Sequence, residues 1–350
     1  MTLATANRAT APLLEMENLS VCVEINGQQE LALSQVSLSI NRGEIVGIVG
    51  ESGCGKTMMA LSIMGLLGDN SKIVRGSIRL GGEEISSLAP RALRRYRGRR
   101  MSMIFQEPMV ALNPLMRVGR QVKEVLTIHH IGSRSDRGRR VTELFNQVGL
   151  SGSVVRARQY PHELSGGMRQ RVMIAMALAA EPALLIADEP TTALDATVQA
   201  QILDLLLEIR DRLGTSVLFV THDMGVIAEV ADRVVVMYAG QVVEVAPVNA
   251  LFSRPMHPYT GGLLQSITGP LLVAKGQDLP TIPGRVPSLG DIPSGCPFAP
   301  RCSSAQNRCI EQRPELGEVE PEHTVACWFP LAPPAKSESA GSSSIKSDAL

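Results

Sequence analysis

The chain of 350 residues carries 34 basic and 34 acidic side chains, so its bulk charge gives no reason to expect nucleic acid as a partner. No apolar run approaches the roughly 20 residues that span a bilayer, and the longest, Val172 to Ala180, is far too short. The length suits one large domain with a deep core plus an appendage, and the polar leader at 1–12, expected to be disordered, has no apolar stretch typical of a secretory signal.

From Leu13 to Ile25 the residues alternate as a strand should, Asn26-Gly27 supplies a hairpin turn, and Val36, Leu38 and Ile40 share one face of a second strand. This predicts an antiparallel flap. Glu44 to Val49 is then a short apolar run suited to a buried parallel strand, and it leads into Gly50-Glu51-Ser52-Gly53-Cys54-Gly55-Lys56-Thr57. That stretch fits the phosphate-binding pattern G-x-x-x-x-G-K-[ST] without a mismatch, and Met58 to Leu67 supplies the helix the motif needs next. Glycines let successive N–H groups turn inward and the helix start adds its positive dipole end, so the loop is an anion cradle. Bound nucleotide is predicted, with Lys56 reaching the β- and γ-phosphates and the Thr57 hydroxyl holding Mg²⁺. Cys54 lies at a variable position of the loop and reads as a small filler rather than a nucleophile.

Gly76 to Leu80 reads as a short strand. The run Arg91, Arg94, Arg95, Arg97, Arg99 and Arg100 reads as a solvated helix face. Met101 to Phe105 is a strand that delivers Gln106 to its end, where Pro108 prevents simple continuation. Val118 to Leu150 is helical apart from a polar stretch at 132–140; His129 and His130 have no third ligand nearby and read as surface residues. Leu164-Ser165-Gly166-Gly167 leads into a helix that Ser165 can cap, its first N–H groups left uncovered by the glycines.

Ala183 to Ala187 is a buried strand ending in Asp188-Glu189-Pro190. Two carboxylates at a strand end are costly without a cation opposite, and Mg²⁺ would satisfy them. Ala196 to Leu213 is an amphipathic helix, Ser216 to Val220 a strand ending at Thr221-His222-Asp223, and Val234 to Val245 a hairpin around Ala239-Gly240 that closes the domain near residue 268. Beyond it, 269–330 is proline-rich and carries Cys296, Cys302, Cys309 and Cys327, and it reads as a module held by something other than a core. With ATP as the expected ligand the cytoplasm is the natural compartment, which disfavours disulfides. Gaps of five, six and seventeen residues between these cysteines match neither paired C-x₂-C zinc sites nor ferredoxin runs, so zinc and iron–sulfur both stay open. The tail at 331–350 is rich in Ser, Ala and Lys and is expected to be disordered.

The phosphate loop, Gln106, the stretch Leu164-Ser165-Gly166-Gly167-Met168-Arg169-Gln170, Asp188-Glu189, Ala193-Leu194-Asp195 and His222 occur in one order that closely resembles the ATP-binding subunits of ABC transporters. His257-Pro258-Tyr259-Thr260, Ile282-Pro283-Gly284, Gly295-Cys296-Pro297-Phe298 and Arg301-Cys302 are similar to the C-terminal extension of oligopeptide and dipeptide importers. The resemblance implies an α/β fold: a P-loop NTPase core, 13–268, with an antiparallel flap, a helical subdomain inserted at about 107–180, and the small C-terminal module. It implies Glu189 as general base, Asp188 in the magnesium shell, Gln106 at the magnesium and γ-phosphate, and His222 at the γ-phosphate. Ser165, Gly166 and Gly167 would close over nucleotide held by a second ATP-binding subunit in a head-to-tail dimer. The subunit would sit on the cytoplasmic face of the inner membrane, docked on two permease subunits that receive solute from an extracytoplasmic binding protein. For the four cysteines the resemblance tips the expectation to a [4Fe–4S] cluster. Where family members often place an aromatic residue on the first strand to stack on adenine, this chain has Val21, Cys22 and Val23. The alternatives are another cargo, such as nickel or glutathione, and a soluble ABC-type ATPase acting on DNA or ribosomes. A DNA-acting member generally has long coiled coils, and no heptad run lies between Gln106 and Ser165.

Overall fold

The computed structural model describes residues 11–192, 194–272 and 281–331. The leader and tail segments at 1–10 and 332–350, and Ala193, lie outside them. Strands β1 (Leu14–Ile25) and β2 (Gln28–Ile40) pair antiparallel around Asn26-Gly27, whose φ values of 52° and 78° suit the left-handed turn that matches strand twist. With β4 (Ser71–Leu80) and β5 (Glu83–Glu84) they form the predicted flap, a four-stranded sheet in the order β2-β1-β4-β5.

The second sheet has eight strands in the order β11-β12-β10-β9-β3-β8-β7-β6, in which β10 is Gln241–Pro247, β11 Gly317–Glu320 and β12 His323–Val325. Its parallel part contains β3 (Ile45–Val49), β6 (Met101–Ile104), β7 (Leu184–Asp188), β8 (Ser216–Val220) and β9 (Arg233–Tyr238). These strands read as unbroken apolar runs because both faces are covered. Val46, Ile48, Leu184, Ile186, Leu218 and Val220 pack toward the flap and the Lys56–Met64 helix, while the alternate residues Ile45, Val49, Leu185, Ala187, Val217 and Phe219 join the core under the helices of the other face. The helices between β6 and β7 include Val118–Ile128, Asp136–Gln147 and Gly166–Leu178. Among the described residues no helix is long and apolar enough to cross a membrane.

Two regions differ from their sequence reading. Part of the arginine run is structural: Arg97 donates to the carbonyls of Met64 and Gly65 at 2.8 and 2.6 Å, satisfying the end of the Lys56–Met64 helix, and Arg100 pairs with Glu83 at 2.9 Å. Arg91, Arg94, Arg95 and Arg99 remain exposed. The proline-rich section, moreover, shares the main core. Cys296, Phe298 and Cys309 belong to the cluster beneath the parallel strands, and the Phe298 ring lies 5.3 Å from those of Tyr238 and Tyr259. Strands β11 (Gly317–Glu320) and β12 (His323–Val325) extend the large sheet, β12 pairing antiparallel with β10 (Gln241–Pro247).

Candidate active site

Four parallel strands deliver polar groups to one edge of the sheet: β3 runs into the phosphate loop, β6 into Gln106, β7 into Asp188-Glu189 and β8 into Thr221-His222. The carboxyl ends of such strands are where open α/β sheets bind ligands. The loop itself depends on its glycines. Gly50, at φ 152°, approaches the Met237 carbonyl and the Cys54 sulfur so closely that a Cβ would collide with both, and Gly55, at φ 101°, adjoins Leu33. Ser52 and Gly53 form the exposed crest of the loop. Lys56 is buried and folds onto the loop, its Nζ donating to the carbonyls of Gly50 at 2.7 Å and Glu51 at 3.1 Å. Burial pushes the Cys54 thiol up, as suits a packed filler and not a nucleophile.

The two strand-end carboxylates are held differently. The Thr57 hydroxyl donates to Asp188 Oδ1 at 3.3 Å, and burial raises the Asp188 carboxyl above its usual range, so a cation beside it would relieve its desolvation. An oxygen pair of this kind, one hydroxyl and one carboxylate, suits Mg²⁺. Glu189 accepts from Gln106 Nε2 and from the Thr192 hydroxyl, both at 3.0 Å, and its other oxygen lies 3.1 Å from His222 Nδ1. Burial would raise this carboxyl too, but the hydrogen bonds from His222 and Thr192 and the charges of His222 and Lys56 outweigh it and hold it below the usual range. Glu189 is thus an ionised acceptor at neutral pH, and it sits in the left-handed region at φ 47°, a conformation that costs energy in a non-glycine residue. The structure therefore brings Gln106, Glu189 and His222 into one cluster.

Ser165 caps the Gly166–Leu178 helix, accepting from the Met168 N–H at 3.4 Å, and both Ser165 and Gly166 face solvent. None of its hydrogen bonds among the described residues reaches the phosphate loop of its own chain. Gln170, one turn further on, is buried and donates to the Pro190 carbonyl at 2.6 Å, joining this helix to the Asp188-Glu189 strand end.

Two contacts at the loop have no local sign in the sequence. The Glu51 N–H donates to the Tyr259 hydroxyl at 2.8 Å, and both Glu51 carboxylate oxygens accept from Arg301, at 2.6 and 3.0 Å. These partners stand 208 and 250 residues along the chain, within the His257-Pro258-Tyr259 and Arg301-Cys302 stretches of the C-terminal resemblance.

The four clustered cysteines line one cavity with Phe298, Trp328 and Phe329, and His257 also reaches it. All are free thiols. Burial raises Cys296 and Cys302, and it pushes Cys327 up to about 11. Among the described residues no three His, Cys, Asp or Glu side chains stand at metal-holding distance.

A family model described as ABC transporter matches residues 33–192, and one described as oligopeptide/dipeptide transporter, C-terminal region, matches 243–309. The chain is 50% identical over 298 residues to a probable peptide ABC transporter ATP-binding protein of Sinorhizobium fredii, covering 85% of this chain and 89% of that one. It is 47% identical to a putative peptide import ATP-binding protein of Brucella ovis, covering 92% and 98% of the two chains. Among solved structures it is similar to the dimeric ATP-binding cassette MJ0796 in a post-hydrolysis state bound to ADP and Pi, with TM-score 0.61, 30% identity, and coverage of 67% of this chain and 98% of that one. A phosphate loop, an ionised strand-end glutamate and these long matches lead to one conclusion: the chain belongs to the ABC transporter family, in the branch of ATP-binding proteins that carry the oligopeptide/dipeptide transporter C-terminal region.

Proposed function

We propose that the chain hydrolyses MgATP to drive peptide import through separate membrane subunits, and the observation that carries this is Glu189, ionised and held by Gln106, Thr192 and His222 beside the phosphate loop. The loop amides and Lys56 take the phosphates, Lys56 exchanging its bonds to Gly50 and Glu51 for phosphate oxygens. Thr57 and Asp188, with Gln106, would hold Mg²⁺, which neutralises charge on the β- and γ-phosphates when bound. Glu189 would accept a proton from the attacking water while Gln106 fixes its carboxylate, and His222, bonded to Glu189, would contact the γ-phosphate.

Assembly and cargo follow from the relatives. An exposed Ser165-Gly166 cap supports closure over nucleotide on a second subunit, and the similar cassette is dimeric. Phe105, Met109, Val110 and Leu115, on either side of Gln106, expose large apolar side chains that suit a permease contact at the membrane's cytoplasmic face. Peptide is the cargo named for the relatives, and an extracytoplasmic solute-binding protein would deliver it to the permeases. Reconstitution with the cognate permeases and binding protein should give ATP-driven uptake of labelled peptide that Lys56→Ala abolishes. Uptake of nickel or glutathione with no uptake of peptide would overturn the cargo.

A [4Fe–4S] cluster on Cys296, Cys302, Cys309 and Cys327 remains our proposal from the cysteine chemistry alone: four thiols line one apolar-walled cavity, but no three of them stand at metal-holding distance among the described residues. Its role here would be to staple the proline-rich section. Iron, sulfide and zinc analysis of anaerobically purified protein tests this, and stoichiometric zinc without iron would replace the cluster with a zinc site.

A further inference from the structure

Glu51 is the second residue of the phosphate loop, and each of its polar groups is engaged. Its N–H donates to the Tyr259 hydroxyl, its carbonyl accepts from Lys56 at 3.1 Å, and its carboxylate takes the two-pronged Arg301 guanidinium. Arg301 is itself immobilised: its side chain is 5% exposed, its Nε donates to the Pro283 carbonyl at 2.7 Å, and it reaches the Tyr238 hydroxyl at 3.3 Å. It directly precedes Cys302, which lines the cysteine cavity, and Tyr259 lies two residues beyond His257, which lines the same cavity.

We infer that Arg301 is a positioning residue for the ATPase site, acting through Glu51 to hold the phosphate loop in its nucleotide-accepting shape and thereby making nucleotide binding depend on the C-terminal section. A buried guanidinium with a planar, bidentate grip fixes both the place and the orientation of a carboxylate, which an ammonium cannot do. The grip also cancels a negative charge that would otherwise stand unpaired beside the site for the triphosphate. Without it Glu51 keeps only its backbone bonds to Tyr259, Lys56 and Cys54, none of which holds the carboxylate, and Lys56 must release its own when phosphate arrives. The inference rests on the ATP-binding reading.

The test compares wild type, Arg301→Met, Arg301→Lys, Glu51→Gln and the double variant Arg301→Met/Glu51→Gln. Calorimetry gives the MgATP Kd, steady-state hydrolysis separates KM from kcat, and thermal unfolding reports fold integrity. Arg301→Met should raise the Kd and KM about tenfold, the scale of one hydrogen bond to a charged group, with kcat at saturating ATP changed far less. Arg301→Lys should recover part of the affinity. The double variant should bind no more weakly than Arg301→Met alone, since the arginine acts through that carboxylate. A fall in melting temperature with unchanged Kd in the folded variants would mark Arg301 as a structural staple only and overturn the inference, as would losses that multiply in the double variant. If Arg301→Met does not fold, unchanged Kd in both Arg301→Lys and Glu51→Gln overturns it equally. Failure of wild type to bind MgATP would instead overturn the ATPase reading itself.

Discussion

Replacing Glu189 with glutamine removes one function and almost no structure. One carboxylate oxygen accepts from Gln106 Nε2 and the Thr192 hydroxyl, each at 3.0 Å, and the other faces His222 Nδ1 at 3.1 Å. A glutamine amide oxygen in the first position keeps two of these bonds, and its amide nitrogen donates to His222 Nδ1 once that ring takes the tautomer with its proton on Nε2. The hydrogen-bonded frame therefore survives, and the left-handed backbone at φ 47° is shared by both residues. What is lost is the capacity to take a proton from water. A positioned general base contributes about 10²–10⁴-fold, which is roughly 2.7–5.4 kcal/mol of barrier at about 1.36 kcal/mol per tenfold. Turnover of Glu189→Gln at saturating MgATP should fall by that factor, while the MgATP Kd and the melting temperature stay near wild type. Phosphate release in single-turnover and steady-state experiments, with calorimetry on the same preparation, reads all three quantities. Near-normal turnover in a preparation free of contaminating ATPase would refute the base assignment. A large loss of affinity or stability would refute the claim that the substitution is structurally silent.

Val23 is buried on β1; if it lies over adenine, Val23→Tyr should tighten MgATP binding by up to about 1–3 kcal/mol, and unchanged affinity in calorimetry would place adenine elsewhere. Burial holds the folded pKa of Asp188 above the ordinary carboxylate value of 3.8, so its contribution to stability is greatest below that pH and is lost as pH rises through the folded value. Asp188→Asn should therefore raise the melting temperature of the nucleotide-free protein at neutral pH while weakening Mg²⁺-dependent ATP binding, and an unchanged or lower melting temperature would contradict this. Glu244 is fully buried and accepts from the N–H groups of Met256 and His257 and from His323 Nε2. Glu244→Leu should cost about 3–5 kcal/mol in denaturant unfolding, and a loss near zero would mean that water or repacking satisfies those donors.

The sequence was most legible where chemistry is concentrated. Central strands such as 184–188 and 216–220 are short apolar runs ended abruptly by polar residues, because both faces are covered and the candidate site residues stand at the strand ends. Glycines fixed by close backbone approach made the phosphate loop equally plain. The C-terminal section misled because its elements are too short and polar to show a period: β11 is Gly-Glu-Val-Glu and β12 has three residues. Among its described residues beyond 280 the helices are short, yet Phe298 and two cysteines enter the main core one at a time, which no window of sequence reveals. Arg97 and Arg100 read as solvated charge because their acceptors, the carbonyls of Met64 and Gly65 and the Glu83 carboxylate, come from other parts of the chain.

The pairing of β12 with β10 also bears on how the protein is made. The Glu244↔Val325 and Val245↔Thr324 pairs join positions about 80 residues apart, so β10 leaves the ribosome with its outer edge open and waits for a partner synthesised much later. Until then it offers a row of unpaired backbone groups beside the apolar Val242 and Val243, a template on which a second nascent chain could add a strand. Chains stopped after the Pro258–Leu272 helix retain every residue proposed for hydrolysis, yet they should aggregate during expression. Supplying the missing segment as a separate polypeptide should restore soluble protein only if it contains β12.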